Sequence, residues 1–159
     1  MGRPVPFQRL LDAERDVVWR FLVAAVGRDA ADDCFQETFL AALRAWPQMA
    51  TALENPRAWL LTIAHRKTVD HHRARARRPV PVGAVPDGPA PAEAPGLRLE
   101  GDAWERVRGL PPKQRAAVLL RVAGDLSHAE VAEALGCSEE AARRSAHEGL
   151  KRLRKEIEG

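Results

Sequence analysis

Residues Asn55 to Arg78 read NPRAWLLTIAHRKTVDHHRARARR, an apolar beginning with Trp59, Leu60 and Ile63 that passes without a break into a strongly basic end. Asn55 is a good N-cap, and Pro56 suits the first helical position, where its missing N–H would have no partner in any case. No Gly or Pro follows until Pro79, so the stretch predicts one helix, roughly 35 Å long at about 1.5 Å per residue. A small core does not need that length. The second half carries Arg66, Lys67, Arg73, Arg75, Arg77 and Arg78 against one acid, Asp70. A solvated basic helix end and a surface offered to a polyanion both fit that pattern.

Before this stretch, Phe7 to Val26 repeats Leu10, Val17, Val18, Phe21, Leu22 and Ala25 at three- and four-residue steps, as an amphipathic helix does. Gly27 ends it. A second helix begins among Asp29, Asp32 and Asp33, acids that favour the positive end of the helix dipole, and is expected to stop at Pro47. Phe35, Phe39, Ala42, Leu43 and Trp46 make its expected buried stripe, with Gln36, Glu37, Leu40 and Arg44 on the outer face. One large apolar residue among polar ones suits an ordinary solvated face or a docking surface. Three such helices, the last two joined by Pro47 to Glu54, can bury one core of Phe, Trp and Leu and form a bundle over residues 1–78.

After the stretch the composition changes. Six of the chain's twelve prolines fall between Pro79 and Gly96, among Ala, Gly and Val. Residues 79–100 therefore read as a flexible linker, with a reach of at most roughly 65 Å at about 3.1 Å per residue, so the domains on either side need not touch. From 101 to 159 the chain is helical again. A helix is expected around Gly101 to Arg108, and Leu110-Pro111-Pro112 opens another that Gly124 closes. Ser127 with Glu130 three residues on makes a capping box, and Leu126 is placed to staple against Val131. Gly136 suits a left-handed C-cap, and Ser138 can cap a last helix running to about Ile157. On that helix Ala142, Ala146, Leu150, Leu153 and Ile157 form an inward stripe, which leaves Glu140, Arg143, Arg144, His147 and Lys151 outside. Helix, tight glycine turn, helix is the arrangement whose second helix enters a major groove. The pairs Glu139–Arg143 and Glu140–Arg144 would also stabilise any exposed helix, by about 0.2–0.5 kcal/mol each.

The bulk numbers allow a nucleic-acid partner without requiring one. The 159 residues carry 25 basic and 22 acidic side chains, a formal charge of +3, placed unevenly as +4 in 1–78, −2 in 79–100 and +1 in 101–159. Arg outnumbers Lys and Ala is abundant, which a GC-rich genome would also produce. Cys34 and Cys137 lie far apart, within helical patterns and outside any metal-ligand spacing, so they are expected to be reduced thiols serving as small apolar residues. No signal peptide and no apolar run near 18 residues is present, so a cytoplasmic protein is expected. No cofactor or metal is implied.

Taken together, the two halves resemble the extracytoplasmic-function sigma factors of bacterial RNA polymerase, members of the sigma-70 family that keep only regions 2 and 4. DDCFQETFLAALRAW resembles region 2.2, the opening stretch regions 2.3 and 2.4, and LPPKQRAAVLLRVAGDLSHAEVAEALGCSEEAARRSAHEGLKRLRK region 4. The resemblance implies an all-α fold of two small helical domains joined by the Pro/Ala-rich linker, and a non-enzymatic function, promoter-specific initiation by core polymerase. It implies docking on the polymerase β′ clamp through Asp33, Gln36, Glu37 and Leu40. It also implies recognition of the unwound minus-10 element by Asn55, Arg57, Arg66, Arg73 and Arg77, Asn55 helping to form a pocket for a flipped base. Ser138, Arg143, Arg144, Ser145, His147 and Lys151 would read the minus-35 element, and region 4 would meet the β flap through its other surface. An anti-sigma factor is a further partner the resemblance admits. A spacer of about 17 base pairs spans about 58 Å, within the linker's reach. Two features depart from the family. EAARRSAHEGL stands where many members read GTVKSRLHRAR, so Glu140 replaces a common Gly and Glu148 a common basic residue; a carboxylate accepts from cytosine N4 but repels phosphate. The melting segment also lacks an aromatic cluster, since Trp59 is expected in the core.

Two other readings compete. A helix-turn-helix regulator with a dimerising or sensing N-terminal bundle would bind a two-fold symmetric duplex tightly by itself. A metal-dependent hydrolase would use His65, Asp70, His71 and His72, but it needs convergent ligands, and the basic neighbours would repel the cation.

Overall fold

The computed structural model describes residues 5–77 and 106–158, with no side-chain description at position 157. Its helices are α1 (Phe7–Val26), α2 (Arg28–Met49), α3 (Pro56–Arg77), α4 (Pro112–Val122), α5 (His128–Leu135) and α6 (Glu139–Glu158). The described residues contain no strand, so the fold is all-α. Among them, no helix is long and apolar enough to cross a membrane. The expected linker, 79–100, lies outside the described residues, as do Arg78 and Trp104; of the helix expected around Gly101 to Arg108, residues 106–108 are helical.

α1, α2 and α3 pack on one another around Val18, Phe21, Leu22, Leu60 and Leu61, which are at most 1% exposed. Burying each such side chain contributes about 1.5–3 kcal/mol. An aromatic chain ties the outer ends together: Phe35 lies 4.7 Å from Phe39, Phe7 lies 5.8 Å from Trp46, and Trp46 lies 6.0 Å from Trp59. The Trp46 Nε1–H donates to the Val5 carbonyl at 3.0 Å, which pins the chain ahead of α1.

The structure corrects three local expectations. Pro47 does not stop α2, which runs to Met49; the bond Pro47 cannot donate would have gone to the Leu43 carbonyl, on the solvent side, where water can take its place. Leu43 itself is 49% exposed, and the buried side of α2 is Ala31, Cys34, Thr38, Phe39, Ala42 and Trp46. Cys137 is exposed and lies in the turn between α5 and α6, whereas Cys34 is buried in its helix.

α4, α5 and α6 form the second bundle, with Leu119, Leu120, Leu126, Val131, Ala142 and Ala146 buried. The two bundles also touch. α3 packs on α5, α1 packs on α4, and one continuous cluster of buried residues runs through both. At the seam Gly124 lies so near Leu61 that a Cβ there would meet Leu61 Cδ1 at 2.6 Å. The two bundles are thus closed on each other.

Candidate nucleic-acid interface

α3 starts as its sequence dictates. The Asn55 side-chain oxygen accepts the Ala58 N–H at 3.2 Å, and Pro56 is the first helical residue. Leu60, Leu61, Ala64 and Thr68 bury one side, the Thr68 hydroxyl donating back to the His65 carbonyl at 2.7 Å. Arg66, Arg73 and Arg77 are exposed. Arg57 is not free: its Nε donates to Glu14 Oε2 of α1 at 2.7 Å, with Glu14 only 15% exposed. That pair holds the start of α3 against α1. Asn55 is also engaged across the seam, its amide nitrogen donating to Glu130 Oε2. Farther along, Arg66, Asp70 and Arg73 form one wall of a groove of about 300 Å³ whose other wall is the end of α5, Glu133 to Gly136.

In the second bundle the capping box is complete. Ser127 Oγ accepts the Glu130 N–H at 3.2 Å and Glu130 Oε1 accepts the Ser127 N–H at 3.0 Å. These bonds, chiefly that from Ser127, hold the Glu130 carboxyl below its ordinary 4.5 against the opposing effect of burial, with the Asn55 amide contributing. Gly136 caps α5 at φ 68°, a conformation that costs a side chain with a Cβ energy and glycine none. Ser138 Oγ accepts the Ala141 N–H at 3.1 Å, so that hydroxyl is used as the cap of α6. On α6, Arg143, Arg144, His147 and Lys151 are exposed and Ser145 is half-buried. Arg143 pairs with Glu139 at 3.2 Å and Arg144 with Glu140 at 3.8 Å, all four side chains more than half exposed. Exposed pairs of this kind are weak enough to be exchanged for a stronger anion.

On α2, Asp33, Gln36 and Glu37 are exposed and Leu40 is 51% exposed. Leu43 joins them. It sits three residues after Leu40 and seven after Gln36, on one helical row, a spacing the sequence displayed but which also fitted a buried stripe. The exposed face therefore holds two adjacent leucines beside acids and amides.

The histidines of α3 lie at the seam. His65 and His72 line a cavity of about 60 Å³ with Phe21, Thr68, Arg115 and Leu119. Among the described residues no cluster of three His, Cys, Asp or Glu groups is placed to hold a metal ion.

Two family models match the chain, "Sigma-70 region 2" over residues 10–78 and "Sigma-70, region 4" over residues 101–153. The chain is 35% identical over 161 residues to the ECF RNA polymerase sigma factor SigD of Mycobacterium tuberculosis, covering 94% of this chain and 76% of that one. It is 34% identical over 139 residues to SigC of the same species, covering 86% and 75%. In fold it is similar to the sigma factor RpoE solved in complex with the anti-sigma factor NepR from Bartonella quintana, with a TM-score of 0.77 at 22% identity over 96% of both chains. CnrH, solved with the cytosolic domain of CnrY, is similar at a TM-score of 0.66 and 18% identity over 96% of this chain and 87% of that one. With both regions matched in order over most of the chain, this protein belongs to the sigma-70 family, as an extracytoplasmic-function RNA polymerase sigma factor.

Proposed function

We propose that this sigma factor docks on the polymerase β′ clamp through Asp33, Gln36, Glu37 and Leu40, with Leu43 extending that face. The basic side of α3, with Asn55, Arg66, Arg73 and Arg77, follows the unwound minus-10 strand, and α6 reads the minus-35 duplex with Arg143, Arg144, His147 and Lys151. Ser138 and Ser145 serve the same element from a cap and a half-buried position. Arg57 acts at one remove, by fixing the start of α3 through Glu14. The protein works by binding alone, with no catalytic step of its own, in the cytoplasm where polymerase and promoter meet. The observation that carries this reading is the separation of three chemically different faces on one chain: leucines among acids on α2, arginines along α3, and exposed, weakly paired arginines on the second helix of a fully capped helix-turn-helix.

The manner of promoter opening follows from an aromatic residue that is already occupied. Trp59 is half-buried against Trp46, so it supports the bundle rather than wedging between bases. Opening then depends on capture of a flipped base near Asn55 and on phosphate contacts by the arginines. On α6, Glu140 at the helix start accepts from a cytosine edge better than it tolerates phosphate, which sets this protein's minus-35 sequence apart from members with Gly there. The sigma factor RpoE, solved with the anti-sigma factor NepR, makes a protein of that kind a further partner.

The test is in vitro transcription with purified core polymerase on genomic fragments. New start sites are expected only when core and this protein are both present. Tight binding of the isolated protein to a two-fold symmetric duplex, with no new start sites, would overturn the reading in favour of a helix-turn-helix regulator.

A further inference from the structure

Glycine is among the poorest residues for the interior of a helix, yet Gly149 stands near the middle of α6 and is buried there. Its surroundings show why. A Cβ at this position would meet Val118 Cγ2 of α4 at 2.6 Å, the Gln114 carbonyl oxygen at 3.3 Å and Gln114 Cβ at 3.4 Å. Carbon atoms in contact rest about 3.5–4.0 Å apart, so a methyl group here would have to push the two helices apart by about 1 Å. Val118 is 4% exposed, and its β-branched side chain has no free rotamer to turn to. Beside this contact the Gln114 Nε2–H donates to Glu148 Oε2 at 3.3 Å, which draws that carboxylate toward α4. The start of α6 is held separately: Ser138 Oγ caps it, and the Cys137 N–H donates to the Ala132 carbonyl at 3.0 Å in the turn from α5. Two points therefore fix α6, the turn at its start and the close approach to α4 at its middle. At about 100° per residue, Glu140, Arg144, His147 and Lys151 fall on the side opposite Gly149, and all four are exposed. The distance from Gly149 to α4 thus sets how far this row stands out from the domain.

We propose that Gly149 is a positioning residue for minus-35 recognition: its missing side chain lets α6 settle onto Val118, and that depth sets where Glu140, Arg144, His147 and Lys151 meet the duplex. The role rests on the assignment of α6 to the minus-35 element. Hydrogen bonds to base edges are short and weaken steeply as length and angle change. A displacement of about 1 Å is enough to lose one of them while the fold is kept.

The test compares Gly149→Ala with Gly149→Ala plus Val118→Ala, each as the full chain bound to core polymerase. The probe is a fluorescein-labelled promoter duplex from a start site found in the transcription experiment, with its minus-35 or its minus-10 element intact or scrambled. Gly149→Ala is expected to bind the intact duplex about tenfold more weakly, as loss of about one base contact does. Its binding to the duplex with a scrambled minus-35 element, its discrimination at minus-10 and its affinity for core polymerase are expected to be unchanged. A role in packing alone would lower all of these together. Adding Val118→Ala removes the methyl group that the new Cβ meets, so the two changes do not add, and binding is expected to return to within about twofold. Val118→Ile crowds the same contact from α4 with a more flexible group; it replaces Gly149→Ala if that variant does not fold, with a loss of about threefold expected. Undiminished minus-35 discrimination in the crowded variant, parallel losses in all three measurements, or no recovery on adding Val118→Ala would each overturn the inference. An unaltered protein that binds intact and scrambled minus-35 duplexes alike would overturn the assignment of α6 itself, and the inference with it, so the two failures are told apart.

Discussion

His65, half-buried, and His72, more exposed, lie where α3 meets α4, and both are held below the ordinary histidine value of 6.5. Burial is the main cause for each. Arg66 adds to it for His65; for His72 the Arg115 guanidinium adds most, then His71 and Arg75, while the contact of Nε2 with the Ala25 carbonyl at 3.1 Å works the other way. A base with a lowered pKa takes its proton more readily once unpacked, so the stability it contributes is present above about pH 6.5 and lost as pH falls below it. The melting temperature is expected to drop between about pH 7 and about pH 5, and His65→Gln with His72→Gln should flatten that limb in a circular-dichroism series. Glu130 has the window of a carboxylate: its carboxyl lies below 4.5, so its contribution is lost only as pH falls through that lower value. A second, more acidic step is therefore expected, absent in Glu130→Gln. On α2, reversing the charge of the exposed Glu37 should weaken recovery of core polymerase in a pull-down; equal recovery would argue against the docking face.

Among the elements, α5 is the one whose ends are most fully specified by local sequence. Removing the Ser127 cap by Ser127→Ala is expected to cost about 1 kcal/mol in denaturant titrations. These caps were legible because each joins groups three residues apart, within reach of a pattern. The face of α2 was less legible. Leu43 fits the inner stripe and the outer row equally well by spacing, and only the positions of α1 and α3 decide between them. Since Leu40 and Leu43 are about half exposed, changing either to Ala should shift stability by less than about 0.5 kcal/mol, yet weaken association with core polymerase. A large loss of stability with unchanged association would instead mark them as packing residues. Pro47 shows the same limit: a proline in the last turn of a helix is tolerated when the carbonyl left without a partner faces water, and exposure is not written locally.

At the scale of the whole molecule, charge reversal at Arg73 and Arg77, both exposed on α3, is expected to reduce open-complex formation strongly in permanganate footprinting while leaving core binding nearly intact. Unchanged promoter opening would remove α3 from that step. The sequence by itself determined the helices apart from the end of α2, the caps at Asn55, Ser127, Gly136 and Ser138, the helix-turn-helix and the two sigma regions, because all of these are short-range: periodicity, a capping residue, a glycine in a turn, a contiguous motif. It also singled out Asn55, the arginines of α3 and α6, and the acidic side of α2 as candidates. Only the tertiary structure decided that Arg57 is spent on Glu14, that Cys137 is exposed in a turn, and that Leu43 faces solvent. It also decided that Asn55 meets Glu130. That last contact joins residues 75 positions apart on two separate bundles, and its existence depends on the shapes of both, Leu61 against Gly124 among them. No pattern along one segment encodes how two finished surfaces fit.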